Sequence, residues 1–151
     1  MAEFEASVTL FCPHEVVFDF LIRPANVARI SLPEMGVRLL DVPELLELGS
    51  RVEFEVTGYG PIQRLIHEIT EFDHPNQFTE TQLQGPLKSF VHQHIVESDG
   101  DRVLVIDRIE FEPPGGLVGF LVTKERILQS LTRGFDHRHR ELKKLLEQPL
   151  E

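Results

Sequence analysis

One cysteine, Cys12, leaves the 151-residue chain without an internal disulfide, and a lone thiol suits a reducing compartment such as the cytoplasm. Basic residues are also scarce. The 15 Lys and Arg stand against 25 Asp and Glu, and the formal net charge of −10 disfavours nucleic acid and anionic membranes as partners. The cluster Arg138, Arg140, Lys143 and Lys144 closes the last helical pattern, where cations complement the helix dipole. No apolar run approaches the roughly 20 residues that a membrane helix requires, and no secretory leader precedes Phe4. Repeats, low-complexity tracts and linkers are missing. So are a nucleophile elbow, a phosphate loop and a cysteine cluster; Ser89 lacks the flanking glycines an elbow needs. What remains is 41% hydrophobic and 26% charged, the composition of an ordinary globule, and its length suits a single domain over residues 1–151.

Strand patterns dominate the middle of the chain. Phe4 to Phe11 alternates as a first strand. Cys12-Pro13-His14-Glu15 opens a short helix whose apolar face is Val16, Val17, Phe20 and Leu21, and a second runs from about Pro24 to Ile30. Strand-like runs follow at Gly36–Val42, Arg51–Gly58, Ile62–Phe72, Phe78–Leu83, Ser89–Glu97 and Arg102–Glu112, separated by turn signals such as Leu48-Gly49-Ser50 and His74-Pro75-Asn76. Short successive connections imply an antiparallel meander. After Pro113-Pro114-Gly115-Gly116, only Gly134 interrupts a helical pattern from Leu117 to Leu146. At about 100° per residue, Leu117, Leu121, Leu128, Leu131, Phe135, Leu142 and Leu146 share one stripe, together with Lys124 and His139. A helix of that length spans roughly 45 Å and needs a broad sheet to lie against.

The Asp99-Gly100 pair reads as a two-residue hairpin loop between Ser98 and Asp101. That register sets Val96 opposite Val103, His94 opposite Val105, His92 opposite Asp107 and Phe90 opposite Ile109. The other face carries Glu97 with Arg102 and Val91 with Arg108, so the charges mark the solvent side. His92, His94 and Asp107 then point inward among Val96, Val103, Val105, Ile109 and Phe111. The strand holding His67 has faces too evenly mixed to orient.

A resemblance accompanies this layout. The run from Gly85-Pro86-Leu87-Lys88 through Ser89-Phe90-Val91-His92-Gln93-His94, then Asp107, Pro113-Pro114-Gly115-Gly116-Leu117-Val118-Gly119 and Phe135-Asp136-His137-Arg138-His139, resembles a ligand-binding branch of the START-related superfamily. That helix-grip superfamily (SRPBCC) includes polyketide cyclases and dehydrases, birch-pollen-allergen-like proteins and lipid-transfer domains. The resemblance implies an α+β fold: a curved antiparallel sheet of six or seven strands wrapped around a long C-terminal helix, with two short helices after the first strand. It further implies a cavity for a lipid, polyketide or other apolar metabolite.

The expected lining follows from the inward faces. The hairpin supplies Phe90, His92, His94, Val105, Asp107 and Phe111; the long helix supplies Leu128, Leu131, Phe135 and His139. Val52, Phe54 and Val56 form the far wall. Lys124 either snorkels to water or meets an anionic group at the mouth. The leading function is a noncatalytic carrier or sensor of a small apolar molecule, acting as a monomer or weak homodimer, with no cofactor and no stable membrane insertion. The alternative is a cyclase or dehydrase in which Asp107 orients His92 as general acid or base. An interaction module would require a large exposed apolar patch, and the pattern offers none. For a metal set of His92, His94 and a carboxylate, Glu97 fails by strand parity and Asp107 could replace it; no metal is assigned.

Overall fold

Turn chemistry and alternation build one sheet. The computed structural model describes residues 1–147. Seven strands, β1 (Ala2–Leu10), β2 (Val37–Asp41), β3 (Arg51–Val56), β4 (Gln63–Asp73), β5 (Gln77–Gln84), β6 (Ser89–Asp99) and β7 (Arg102–Glu112), lie in the order β1-β7-β6-β5-β4-β3-β2. Every neighbouring pair is antiparallel. Helices α1 (His14–Leu21) and α2 (Pro24–Ile30) connect β1 to the far edge. α1 buries Val17, Phe18 and Leu21, and Pro24 occupies the first position of α2, where its missing N–H is harmless.

The β6–β7 hairpin differs from the sequence expectation by two residues. Gly100 and Asp101 form the loop, so Asp99 pairs with Arg102, His94 with Asp107, His92 with Ile109 and Phe90 with Phe111. The reason is conformational. Gly100 takes the positive φ, 66°, at the first loop position, whereas a loop beginning at Asp99 would force positive φ on a residue with a Cβ. A shift of two preserves parity, so every inward residue stays inward. Val96, Val103, Val105, Ile109 and Phe111 are buried, and Glu97 and Arg102 are exposed.

The long helical pattern is two helices. α3 (Val118–Leu121) ends at Val122, and α4 (Lys124–Leu146) begins after Thr123, whose Oγ1 accepts a hydrogen bond from the Arg126 N–H at 3.3 Å. β-Branched Val122 and Thr123 are weak helix formers, and Thr is a preferred N-cap. The 23 residues of α4 span about 35 Å. α4 packs over β1, and Leu142, His139 and Phe135 are its buried residues. Leu117 and Leu121, expected on the buried stripe, are 83% and 69% exposed because α3 no longer continues the phase of α4.

Two apolar clusters result. One joins Leu10, Phe18, Ile30, Ile69, Phe78, Val96, Val105 and Leu142; the other joins Ala2, Ile109, Phe111 and Phe135. Thr123→Ala removes the cap and should cost about 1 kcal/mol, lowering the melting temperature by about 2–4 °C for a chain of this size. Thermal melts with circular dichroism read this directly; an unchanged midpoint would show that α4 does not depend on its cap.

Candidate functional site

Between the two apolar clusters runs a layer of polar groups. Along β7 the inward sequence is Val105, Asp107, Ile109; along β6 it is Val96, His94, His92, Phe90; along α4 it is Leu142, His139, Phe135. The middle members meet. Asp107 Oδ1 lies 2.7 Å from His92 Nε2, and Oδ2 lies 2.7 Å from His139 Nε2. Although His92 sits opposite Ile109, it reaches Asp107 diagonally, so the shifted hairpin keeps the contact.

Sequence reading missed the group that completes the layer. Glu80 on β5 pairs in register with His92, and its carboxylate faces the same side. Oε1 lies 2.7 Å from His94 Nε2 and 3.2 Å from His92 Nδ1, while Oε2 lies 3.0 Å from His67 Nδ1. The alternation Phe78, Glu80, Gln82 held a signal, because Phe78 packs face to face on His94 at 4.1 Å. The Gly85–Lys88 loop that sets the β5–β6 register is longer than a two-residue turn, so the pairing was not calculable. His67 also turns inward, 5% exposed, against the rings of Phe54 and Phe90, and its Nε2 has no partner among the described residues.

The charges are linked. Burial opposes the ionisation of Glu80, yet hydrogen bonds from His67, His92 and His94 outweigh it and hold the carboxyl well below its usual range. Asp107 behaves alike: burial is overcome by hydrogen bonds from His139 and His92, and its pKa is lowered. For His92, burial is outweighed by bonding to Asp107 and Glu80, so its pKa is raised. His94 goes the other way, pushed down to about 4 by burial and by the neighbouring His92. The two rings stack at 3.7 Å.

Above this layer lies a cavity of about 970 Å³. It is displaced from the expected position. α4 covers β1 directly, so Val105, Asp107, Phe111, Leu128 and His139 lie outside the lining, while Phe90, His92, His94, Leu131 and Phe135 border it. Val52, Phe54 and Val56 supply the far wall as expected, and Leu21, Val27 and Leu32 close the α2 side. Lys124, the first residue of α4, is exposed and does not line the cavity; Arg126 does. The charged lining residues are Lys88, Arg126 and Arg138 against Glu80, so the rim is cationic in an acidic protein. Gly134 also lines the cavity, and a Cβ there would meet nothing within 4 Å. Around the mouth, Leu117 before α3 and Phe120 and Leu121 on it are exposed, an apolar patch that the single-helix reading had hidden.

Comparison with known proteins supports this frame. The family model described as "Polyketide cyclase / dehydrase and lipid transport" matches residues 1–147. Among solved structures, TTHA0849 from Thermus thermophilus is 17% identical, with 95% of each chain covered and a TM-score of 0.71. Major latex-like protein 151 from Panax ginseng is 19% identical, covering 97% of this chain and 98% of its own, with a TM-score of 0.69. CV1439 from Chromobacterium violaceum is 12% identical, covering 99% and 100%, with a TM-score of 0.76. At these identities the likeness is one of fold. No curated protein matches the sequence.

Asp107→Ala strips both His92 and His139 of their buried partner, and breaking such a pair costs about 3–5 kcal/mol. Urea unfolding should show that loss. A change below about 1 kcal/mol, the scale of an exposed ion pair, would mean the carboxylate does not join sheet to helix.

Proposed function

Since the chain belongs to the polyketide cyclase/dehydrase and lipid transport family, we propose that it takes up one small apolar molecule, such as a lipid or polyketide, and holds it in the cavity between sheet and helix as a carrier or sensor. The observation that carries this reading is the cavity itself. At about 970 Å³ it stands near the upper end of ligand pockets, and its lining is mostly aliphatic and aromatic with few polar groups, as such sites usually are. The cationic residues at its rim favour a ligand with an anionic or hydrogen-bond-accepting end, its apolar body lying against Val52, Phe54 and Leu131.

The cyclase or dehydrase alternative fits the geometry less well. A general base needs a ring nitrogen free to reach the substrate proton. His92 has Nε2 on Asp107 and Nδ1 beside Glu80, and Asp107 does not border the cavity. The polar layer works as a floor rather than as a dyad aimed at substrate. Cys12 remains a free thiol, which suits the cytoplasm, and a monomer or weak homodimer suffices for a carrier because the cavity is built from one chain.

Leu131→Trp places an indole in the cavity. Titration with a fluorescent long-chain carboxylate should show at least a tenfold loss of affinity in that variant, with the fold retained by circular dichroism. Equal uptake by variant and wild type would place the binding site elsewhere and remove the support for this function.

A further inference from the structure

We propose that Glu80, His92 and His94 form a binding site for a first-row divalent transition metal, opening on the floor of the cavity. One acidic oxygen and two imidazole nitrogens converge there: Glu80, His92 and His94 each offer a ligand atom within 4.8 Å of the others, and Glu80 Oε1 is 3.2 Å from His92 Nδ1 and 2.7 Å from His94 Nε2. Two imidazoles with one carboxylate, and further positions open to a cavity, form a donor set that divalent iron and zinc accept. His92 and His94 alternate on one strand face, and Glu80 stands across from His92 on the neighbouring strand, so the sheet itself sets the three donors.

The surroundings match what metal-bound histidines require. A ligating imidazole almost always donates its other N–H to a carboxylate or carbonyl. His92 Nε2 is 2.7 Å from Asp107 Oδ1, and His94 Nδ1 is 3.5 Å from the same oxygen. Both outer nitrogens thus face one buried carboxylate while both inner nitrogens face Glu80. Asp107 is fixed in turn by His139, and Glu80 Oε2 is held by His67 Nδ1. His67 turns its other ring nitrogen, Nε2, away from Glu80, where it is buried and without a partner among the described residues.

Binding replaces protons by the ion. His92 releases the Nδ1 proton to solvent when it carries one and keeps the Nε2 proton, donated to Asp107. His94 moves its proton from Nε2 to Nδ1, which stands 3.5 Å from Asp107 Oδ1 and has to close on it to donate. A tetrahedral ion with bonds of about 2.0–2.1 Å sets its ligand atoms roughly 3.3 Å apart. The His92 contact of 3.2 Å is already close to that, and the His94 contact of 2.7 Å has only to open by several tenths of an ångström. Phe78 stacks on His94 at 4.1 Å and Phe90 stands edge-on to His92 at 6.2 Å, so an aromatic ring flanks the stacked pair on each side.

The test uses the full chain, untagged and freed of metal by a chelator, titrated calorimetrically with zinc ion alone. One zinc per chain is expected. Glu80→Gln keeps the shape and an acceptor for His94 but removes the charge, and should weaken binding at least tenfold. Asp107→Asn, acting through His92, should weaken it by about 10–100-fold. His137→Ala, on the helix outside the cluster, should leave it unchanged. Should either cluster variant fail to fold, the wild type decides: cobalt ion must give visible ligand-field bands, and the imidazole resonances of His92 and His94 must shift while that of His137 does not. Absence of stoichiometric uptake, undiminished binding in folded Glu80→Gln, or shifts confined to other histidines would overturn the proposal. Uptake of the fluorescent carboxylate is read separately, so the metal site and the carrier function can fail independently.

Discussion

Asp107 joins three elements through one carboxylate. Standing on β7, it accepts from His92 on β6 and from His139 on α4, both at 2.7 Å and both buried. Apolar packing alone does not fix how far a helix slides or rolls on a sheet, because burial is non-directional. Two short hydrogen bonds to an ionised acceptor do fix it, since they are strong and geometrically demanding. One turn of helical slip would set Phe135 or Lys143 where His139 stands and leave a buried carboxylate unpaired. The position of α4, and with it the size of the cavity, rests on this contact.

The polar layer is expensive to bury, and the protein keeps it between two apolar clusters rather than at an edge. Replacing such a group by well-packed hydrophobic residues is often neutral or stabilising, so stability alone does not account for it. Its place offers a better account. Glu80, His67, His92 and His94 form the part of the layer that borders the cavity, whereas Asp107 and His139 lie behind them. The hidden half anchors the helix and holds the visible half in orientation. That division presents polar groups to the cavity without exposing the contact that holds the fold.

Strand parity made much of this legible. His92, His94 and Asp107 could be assigned to the inward face of the hairpin from charge alternation alone, and that assignment survives the two-residue shift in register because two is the period of a strand. The pairing itself depended on which residue takes positive φ, and Asp99-Gly100 reads equally well as either loop. Glu80 escaped because a carboxylate in the run Thr79-Glu80-Thr81 looks solvated unless the neighbouring strand is already placed. The break at Thr123 escaped for a different reason. A capping threonine inside a continuous amphipathic pattern costs little in propensity, and only the exposed α3 shows that the pattern belonged to two helices. Lys124 keeps the helical phase of Phe135 yet stands exposed on the first turn of α4, so phase alone did not show that Arg126 and not Lys124 would border the cavity.

The cavity follows from where α4 is held. Drawn over the β1 and β7 side by Asp107 and by Phe4 against Phe135 at 5.5 Å, the helix leaves the concave face of β3 to β5 without a covering layer. α2 and α3 close only the sides of that space. Gly134 faces it without contact, though glycine inside a helix costs about 1 kcal/mol relative to alanine. A void lined by apolar atoms forfeits the dispersion contacts that a filled core would make. An apolar ligand supplies those contacts and binds the folded state alone, so it adds stability in proportion to the logarithm of its concentration once above its dissociation constant. In the carrier reading the bound molecule completes this hydrophobic core, and the carboxylate that sets the helix also sets the shape that molecule must have.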